Sequence, residues 1–241
     1  MPGIHLGSEC LKYWYDRWTV TATCSTCLLI PILVATLENL TGAQGAGFAR
    51  TQLLQGIYLG QAGLSVVSAL YFGREFERSA LRTSLLSTPR RLAFLACKGV
   101  CLLGSMALLL AVATAASALV LCLCHAVTLP DLLSEEVLLA LAPACLSAIE
   151  LCAIAASLAV ICRSAVVPSA VMLSMVLGLG QLLLQFGSVF RFLPVICAMD
   201  AFLPTPSGLY PSLWDGLLLQ GLWCTGLLTL AAMALRLRSV R

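Results

Sequence analysis

Six apolar windows run through the chain: Trp18–Leu37, Thr51–Gly73, Gly99–Pro130, Val137–Cys162, Ser164–Phe190 and Gly216–Leu235. None contains Lys, Arg, Asp or Glu, except that the fourth holds Glu150. A helix needs about 20 apolar residues to cross the hydrocarbon core of a bilayer. Backbone groups in lipid must be satisfied within the segment, so each window predicts a helix rather than an open strand. Pro31 is expected to kink the first. Only 10% of the residues are charged, against about 25% in soluble domains. The hydrophobic share is 60% and the mean hydropathy is +0.98. Such a chain cannot solvate its own surface in water, and the segments between windows are too short for a globular domain. Residues 1–241 therefore read as a single all-α membrane domain with six transmembrane helices. The first seventeen residues mix Glu9, Lys12, Asp16 and Arg17, and the apolar run after them is too long for a signal peptide, so the N-terminus is expected to be retained.

Six crossings put both termini on one side. Of the fourteen Lys and Arg residues, that side holds twelve, and the other only Arg50 and Arg191. Basic residues in short loops favour the cytoplasm, so both termini are expected there. In the N-terminal stretch, Leu11, Trp14, Tyr15 and Trp18 share one helical face, with Lys12 and Asp16 off it. An amphipathic, aromatic-rich helix of this kind suits the headgroup layer. Near the C-terminus, Pro194, Pro204, Pro206 and Pro211 forbid one long helix, and the segment is apolar enough to re-enter the membrane from outside as short helices. Most of the twelve cysteines lie in the apolar windows, where a thiol packs as a small hydrophobe. Cys24 and Cys27 have CxxC spacing, but no second pair completes a zinc site.

One stretch, Tyr71 to Val100, is densely charged. Arg74, Arg78 and Arg82 recur every four residues, and Glu75 stands three before Arg78, a spacing that supports a helix. Pro89 ends that helix, and Arg90 and Arg91 lead into the third window. The second span is thus expected to continue into an amphipathic cytoplasmic helix, turn, and re-enter. A plain positive anchor accounts for the charge but not for the Glu–Arg pattern.

This stretch resembles the connection between the second and third helices of ABC-2 type permeases, the six-helix membrane subunits of ABC exporters that include lantibiotic and bacitracin immunity systems. Their pattern runs Glu-x-x-x-Gly-Thr-Leu-Arg-Thr, a leucine-rich turn, Pro, one or two Arg, then Lys. Glu75, Leu81-Arg82-Thr83, Pro89, Arg91 and Lys98 match it, while Ser79 and Ala80 stand where Gly-Thr is usual. The likeness extends over nearly the whole chain through the N-terminal amphipathic helix, six spans and the Pro-rich outer segment. It implies that Arg74, Glu75, Arg78, Arg82, Pro89 and Arg91 belong to a coupling helix seated on an ATPase subunit. It also implies two ATPase copies, a second permease chain, identical or homologous, and residence in the cell membrane. The chain has no G-x-x-x-x-G-K-[ST] phosphate loop, so ATP and Mg are expected on the partner chain and no cofactor on this one. Nothing in it suggests a nucleic-acid partner.

Polar residues inside the windows are the candidates for a substrate pathway. Gln55, Tyr58, Gln61, Ser65 and Ser68 form a stripe on the second window, and Gly56, Gly60 and Gly63 lie beside it. The stripe reads either as a pathway or as part of a helix–helix seam. Gln181 and Gln185 lie one turn apart in the fifth, near Gly178 and Gly180. The resemblance would place the second and fifth helices between two permease subunits. Glu150 at mid-span costs about 2.5 kcal/mol or more on insertion scales, which marks either a substrate or proton contact or a hydrogen-bonded packing group. His5 and His125 are far apart and H-E-x-x-H is absent, so an intramembrane enzyme is the weakest reading, behind an inert membrane adaptor or sensor.

Overall fold

The computed structural model describes residues 2–41, 46–76, 91–124, 128–203 and 207–237. Among them the chain is helical, with no strand. Helix α1 (Pro2–Tyr15) is followed after a single residue by α2 (Arg17–Thr41). Next come α3 (Ala46–Gly73), α4 (Arg91–Leu123), the short α5 (Leu129–Leu132) and α6 (Glu135–Cys162). The fifth window is split into α7 (Val166–Ser174) and α8 (Gly180–Phe186), and the short α9 (Pro194–Cys197) precedes α10 (Leu213–Leu237). Six helical stretches are long and apolar enough to cross a membrane, which is compatible with a multi-pass membrane protein.

Asp16 divides α1 from α2. Its carboxylate accepts hydrogen bonds from Thr19 N at 3.2 Å and from Thr19 Oγ1, a side-chain N-cap that satisfies donors at the start of α2. Leu11, Trp14 and Tyr15 on α1, with Trp18 just past the cap, are all more than half exposed, so the aromatic face faces away from the bundle as expected. The opposite face buries Glu9 and Tyr13.

Helix α3 is the centre of the bundle, packed on α2, α6 and α7. Its glycines decide the α2 contact. A methyl group added at Gly56 would lie 2.5 Å from Val34, one at Gly60 2.6 Å from Ile30, and one at Gly63 2.6 Å from Thr26. The GxxxG pattern is therefore a close helix–helix seam within this chain. Small residues do the same for α6, which buries Ala144, Ser147, Ala148, Ala155, Ala156 and Ala159. The outward faces of α7, α8 and α10 carry exposed Val, Leu, Phe and Trp side chains. An apolar surface of that extent is stable against lipid or another apolar surface, not water.

Several expected boundaries shift. The third span begins at Arg91 rather than Gly99, because Lys98 is buried and paired inside the helix instead of ending it, and it stops at Leu123 rather than Pro130. The first helix continues through Pro31 to Thr41. The fourth starts two residues early, with Ser134 before Glu135 and Glu136, acids that suit a helix N-terminus. The fifth is not one helix: residues Met175–Leu179 form a π-helical turn in which Gly178 has φ 136°, a conformation that favours glycine. The α-helix of the second span does not continue through Arg74. It ends at Gly73, whose Cα has no room for a side chain against Ala165, and Arg74–Phe76 form one 3₁₀ turn. Arg78, Arg82 and Pro89, the rest of the expected coupling helix, lie outside the described residues.

Candidate functional site

Among the described residues, two larger polar clusters and one smaller group interrupt the apolar bundle. The first gathers charges at one end, where α1, the end of α3 and the start of α4 meet. Lys98 is 2% exposed and donates to Glu75 Oε1 at 2.8 Å. Its ammonium also lies 3.9 Å from Glu9 Oε2, and Glu9 Oε1 receives Lys12 at 2.6 Å. Aromatic rings complete the enclosure: the Lys98 ammonium stands 4.0 Å from the centre of the Tyr71 ring and 5.5 Å from that of Phe72. The Tyr71 hydroxyl donates to the Glu9 carbonyl at 3.2 Å, and Tyr71 meets Tyr13 edge to face at 5.1 Å. Tyr13 in turn shares a hydrogen bond with Thr23 at 2.7 Å, and burial pushes its phenol up to about 12, so it stays protonated. At the rim, Arg74 pairs with the helix-capping Asp16 at 3.0 Å.

The cluster ties three elements through charge and hydrogen bonds rather than packing alone. Breaking a buried pair from one side leaves an uncompensated charge, so each member depends on the others. Of the expected coupling residues, Arg74 and Glu75 are brought into this cluster, and Arg91 is the first residue of α4. Glu75 is turned inward onto Lys98, a partner 23 positions away, rather than lying along an exposed helix. The spacing of charges along one helix could not show this. Glu9 and Asp16 were legible only as charges near the N-terminus. The signal for Lys98 was its place in the quoted motif, just before an apolar window.

The second site is a polar seam deeper in the bundle. On α3, Gln61 is buried and its amide approaches Ser147 Oγ on α6 at 3.5 Å. Gln220 on α10, 1% exposed, donates to the Ser147 carbonyl at 3.2 Å. One turn further along α6, Glu150 faces α10: a methyl group at Gly221 would lie 3.3 Å from Glu150 Oε1. Glu150 Oε2 and Gln220 Oε1 are buried and have no hydrogen-bond partner.

The expected polar stripe on α3 does not line one path. Ser65 and Ser68 are buried and bond back to the carbonyls of Ala62 and Leu64, while Gln55 is exposed. Tyr58 instead joins the broken fifth helix. Its hydroxyl accepts from the Gln181 amide and donates to the Val176 carbonyl, inside the π-helical turn, at 3.4 Å. Its ring packs on Phe202 with centroids 5.4 Å apart. Gln185 is exposed and joins neither group. Thus Tyr58 and Gln181 meet, Gln61 and Glu150 belong to the α3–α6–α10 seam, and Gln55 and Gln185 stand apart.

The chain matches no protein-family model, no curated protein and no solved structure.

Proposed function

We propose that the chain is the membrane-spanning permease subunit of an ATP-driven exporter, energised by a separate ATPase chain and moving an amphipathic or peptide-like cargo. The observation that carries this reading is the buried Lys98–Glu75 pair at 2.8 Å. Glu75 and Lys98 are the first and last residues of the motif that resembles ABC-2 permeases, and they bracket the connection between the second and third long helices. A force on that connection is transmitted to α3 and α4 through a charged clamp, and through Glu9 to the amphipathic α1. A passive anchor has no need of a buried clamp at that place. In this reading the connection and both termini are cytoplasmic, α1 lies in the headgroup layer, and the segment around α9 re-enters from outside.

The test is a double charge reversal, Arg78→Glu with Arg82→Glu, in the chain expressed with its genomically neighbouring ATPase. Like charges set against an acidic partner surface weaken or misdirect docking. The expected result is a chain that inserts normally but loses the ATPase subunit or its substrate-stimulated hydrolysis. Normal recovery of the complex together with normal stimulated hydrolysis would overturn the assignment.

A further inference from the structure

Helices α6 and α10 run in the same direction with a constant register. Ser147 is bonded by Gln220, Glu150 faces Gly221, and two turns on, Ser157 and Val160 share a cleft with Leu228 and Ala231. The upper part of this groove is polar and holds only acceptors without partners, Glu150 Oε2 and Gln220 Oε1. No described cation pairs with Glu150. The lower part is a small apolar cleft of about 60 Å³, lined on its inner side by Phe72 and Leu102. Helix α10 is buried at Gly216, Leu217 and Gln220 and again at Ala231 and Leu235; between them Cys224 and Leu227 pack partly buried on the core, while Leu228 is exposed at the mouth of the cleft. The cleft begins at Ala153, three residues of helix, about 4.5 Å, beyond Glu150.

We propose that this groove binds a cationic amphiphile, with a primary ammonium on Glu150 and Gln220 and the first carbons of its hydrocarbon tail in the cleft below. A carboxylate in an apolar bundle calls for a donor that carries positive charge. An ammonium has three N–H donors, enough for the carboxylate and the Gln220 oxygen together. The cleft takes the start of an alkyl tail without a polar partner to satisfy, and the rest of the tail lies along the apolar outer face of α10. A neutral tail would gain the cleft but leave the carboxylate without its donor. Calling this amphiphile a cargo rests on the proposed transport function; its binding does not.

The experiment uses the full chain in phosphatidylcholine nanodiscs, without ATPase, and radiolabelled dodecylamine and dodecanol, with empty discs subtracted. Saturable binding of the amine at one per chain, at least about tenfold tighter than the alcohol, is expected. Glu150→Gln should erase the preference for the amine, and Leu228→Trp, which fills the cleft, should weaken both ligands by a similar factor. Leu222→Ala, on the exposed face of α10, should change nothing. Equal binding of amine and alcohol to the wild-type chain, no saturable binding, or an undiminished preference in Glu150→Gln would each overturn the proposal. The wild-type comparison decides even if a variant fails to fold. Loss of amine binding would leave the ATPase-docking test untouched, and the reverse also holds.

Discussion

Lys98 has two carboxylates within 3.9 Å and a tyrosine ring against its ammonium. Replacing it with Ala would remove the 2.8 Å partner of Glu75 from a buried site, a loss of about 3–5 kcal/mol. Thermal unfolding of the purified chain should show a large drop for Lys98→Ala. The double variant Lys98→Met with Glu75→Leu should recover much of it, since an apolar pair replaces a desolvated one. An unchanged melting temperature in Lys98→Ala would mean that the cluster is not a clamp. Glu150 differs from Glu75 in having no described cation beside it, so Glu150→Gln should leave folding and assembly intact and instead change which cargo is moved. Unaltered transport across a panel of amphiphiles would make it a packing residue. A carboxylate at mid-window was visible in the sequence, but its unbonded oxygen and the facing Gln220 depend on how α6 and α10 are set side by side. No local pattern encodes that.

At the scale of elements, α3 and the broken fifth helix make opposite uses of glycine. In α3, Gly60 lets α2 approach until Ile30 occupies the space a side chain would take. Gly60→Leu should destabilise by about 1–3 kcal/mol through overpacking, and Ile30→Ala in the same chain should relieve part of it. Melting curves of the single and double variants measure that coupling; simple additivity would refute a direct contact. In the fifth helix, Gly178 supplies a positive φ, and the Tyr58 hydroxyl holds the Val176 carbonyl inside that turn. The spacing of Gly56, Gly60 and Gly63 was enough to suggest a seam from the sequence. The break at Gly178 was not, because glycine within an apolar run is tolerated in an unbroken helix and only the tertiary fit selects the π-turn. The shifted start of α4 follows the same logic: a lysine ends a charge-free window but does not end a helix once its charge is matched.

For the whole molecule, the length of the apolar windows was sufficient to place six membrane-length helical stretches, because each window answers to bilayer thickness alone. Their arrangement around α3 was not legible, since lipid-exposed and buried residues are equally apolar. The twelve-to-two distribution of basic residues leads to a topology prediction. In a cysteine-free background and intact cells, a thiol-reactive, membrane-impermeant label should reach cysteine placed at Gly45 or Ser207, but not at Ser87 or Ser239. Labelling of the second pair would invert the assignment.

The clamp also bears on how the chain is made. Glu9 has Lys12 beside it from the start, but Glu75 is synthesised before Lys98, with which it pairs. Until α4 emerges from the ribosome, the turn after α3 lacks its bond to Lys98, and α4 alone would carry that ammonium into lipid without Glu75. The two helices therefore enter the bilayer best as a hairpin, each supplying the charge that makes the other's entry tolerable. Nascent chains arrested before Lys98 leaves the ribosome should be released by alkaline carbonate more readily than chains arrested once the whole of α4 has emerged. A Lys98→Glu chain should behave like the shorter one. Equal retention of all three would show that the helices are integrated one at a time.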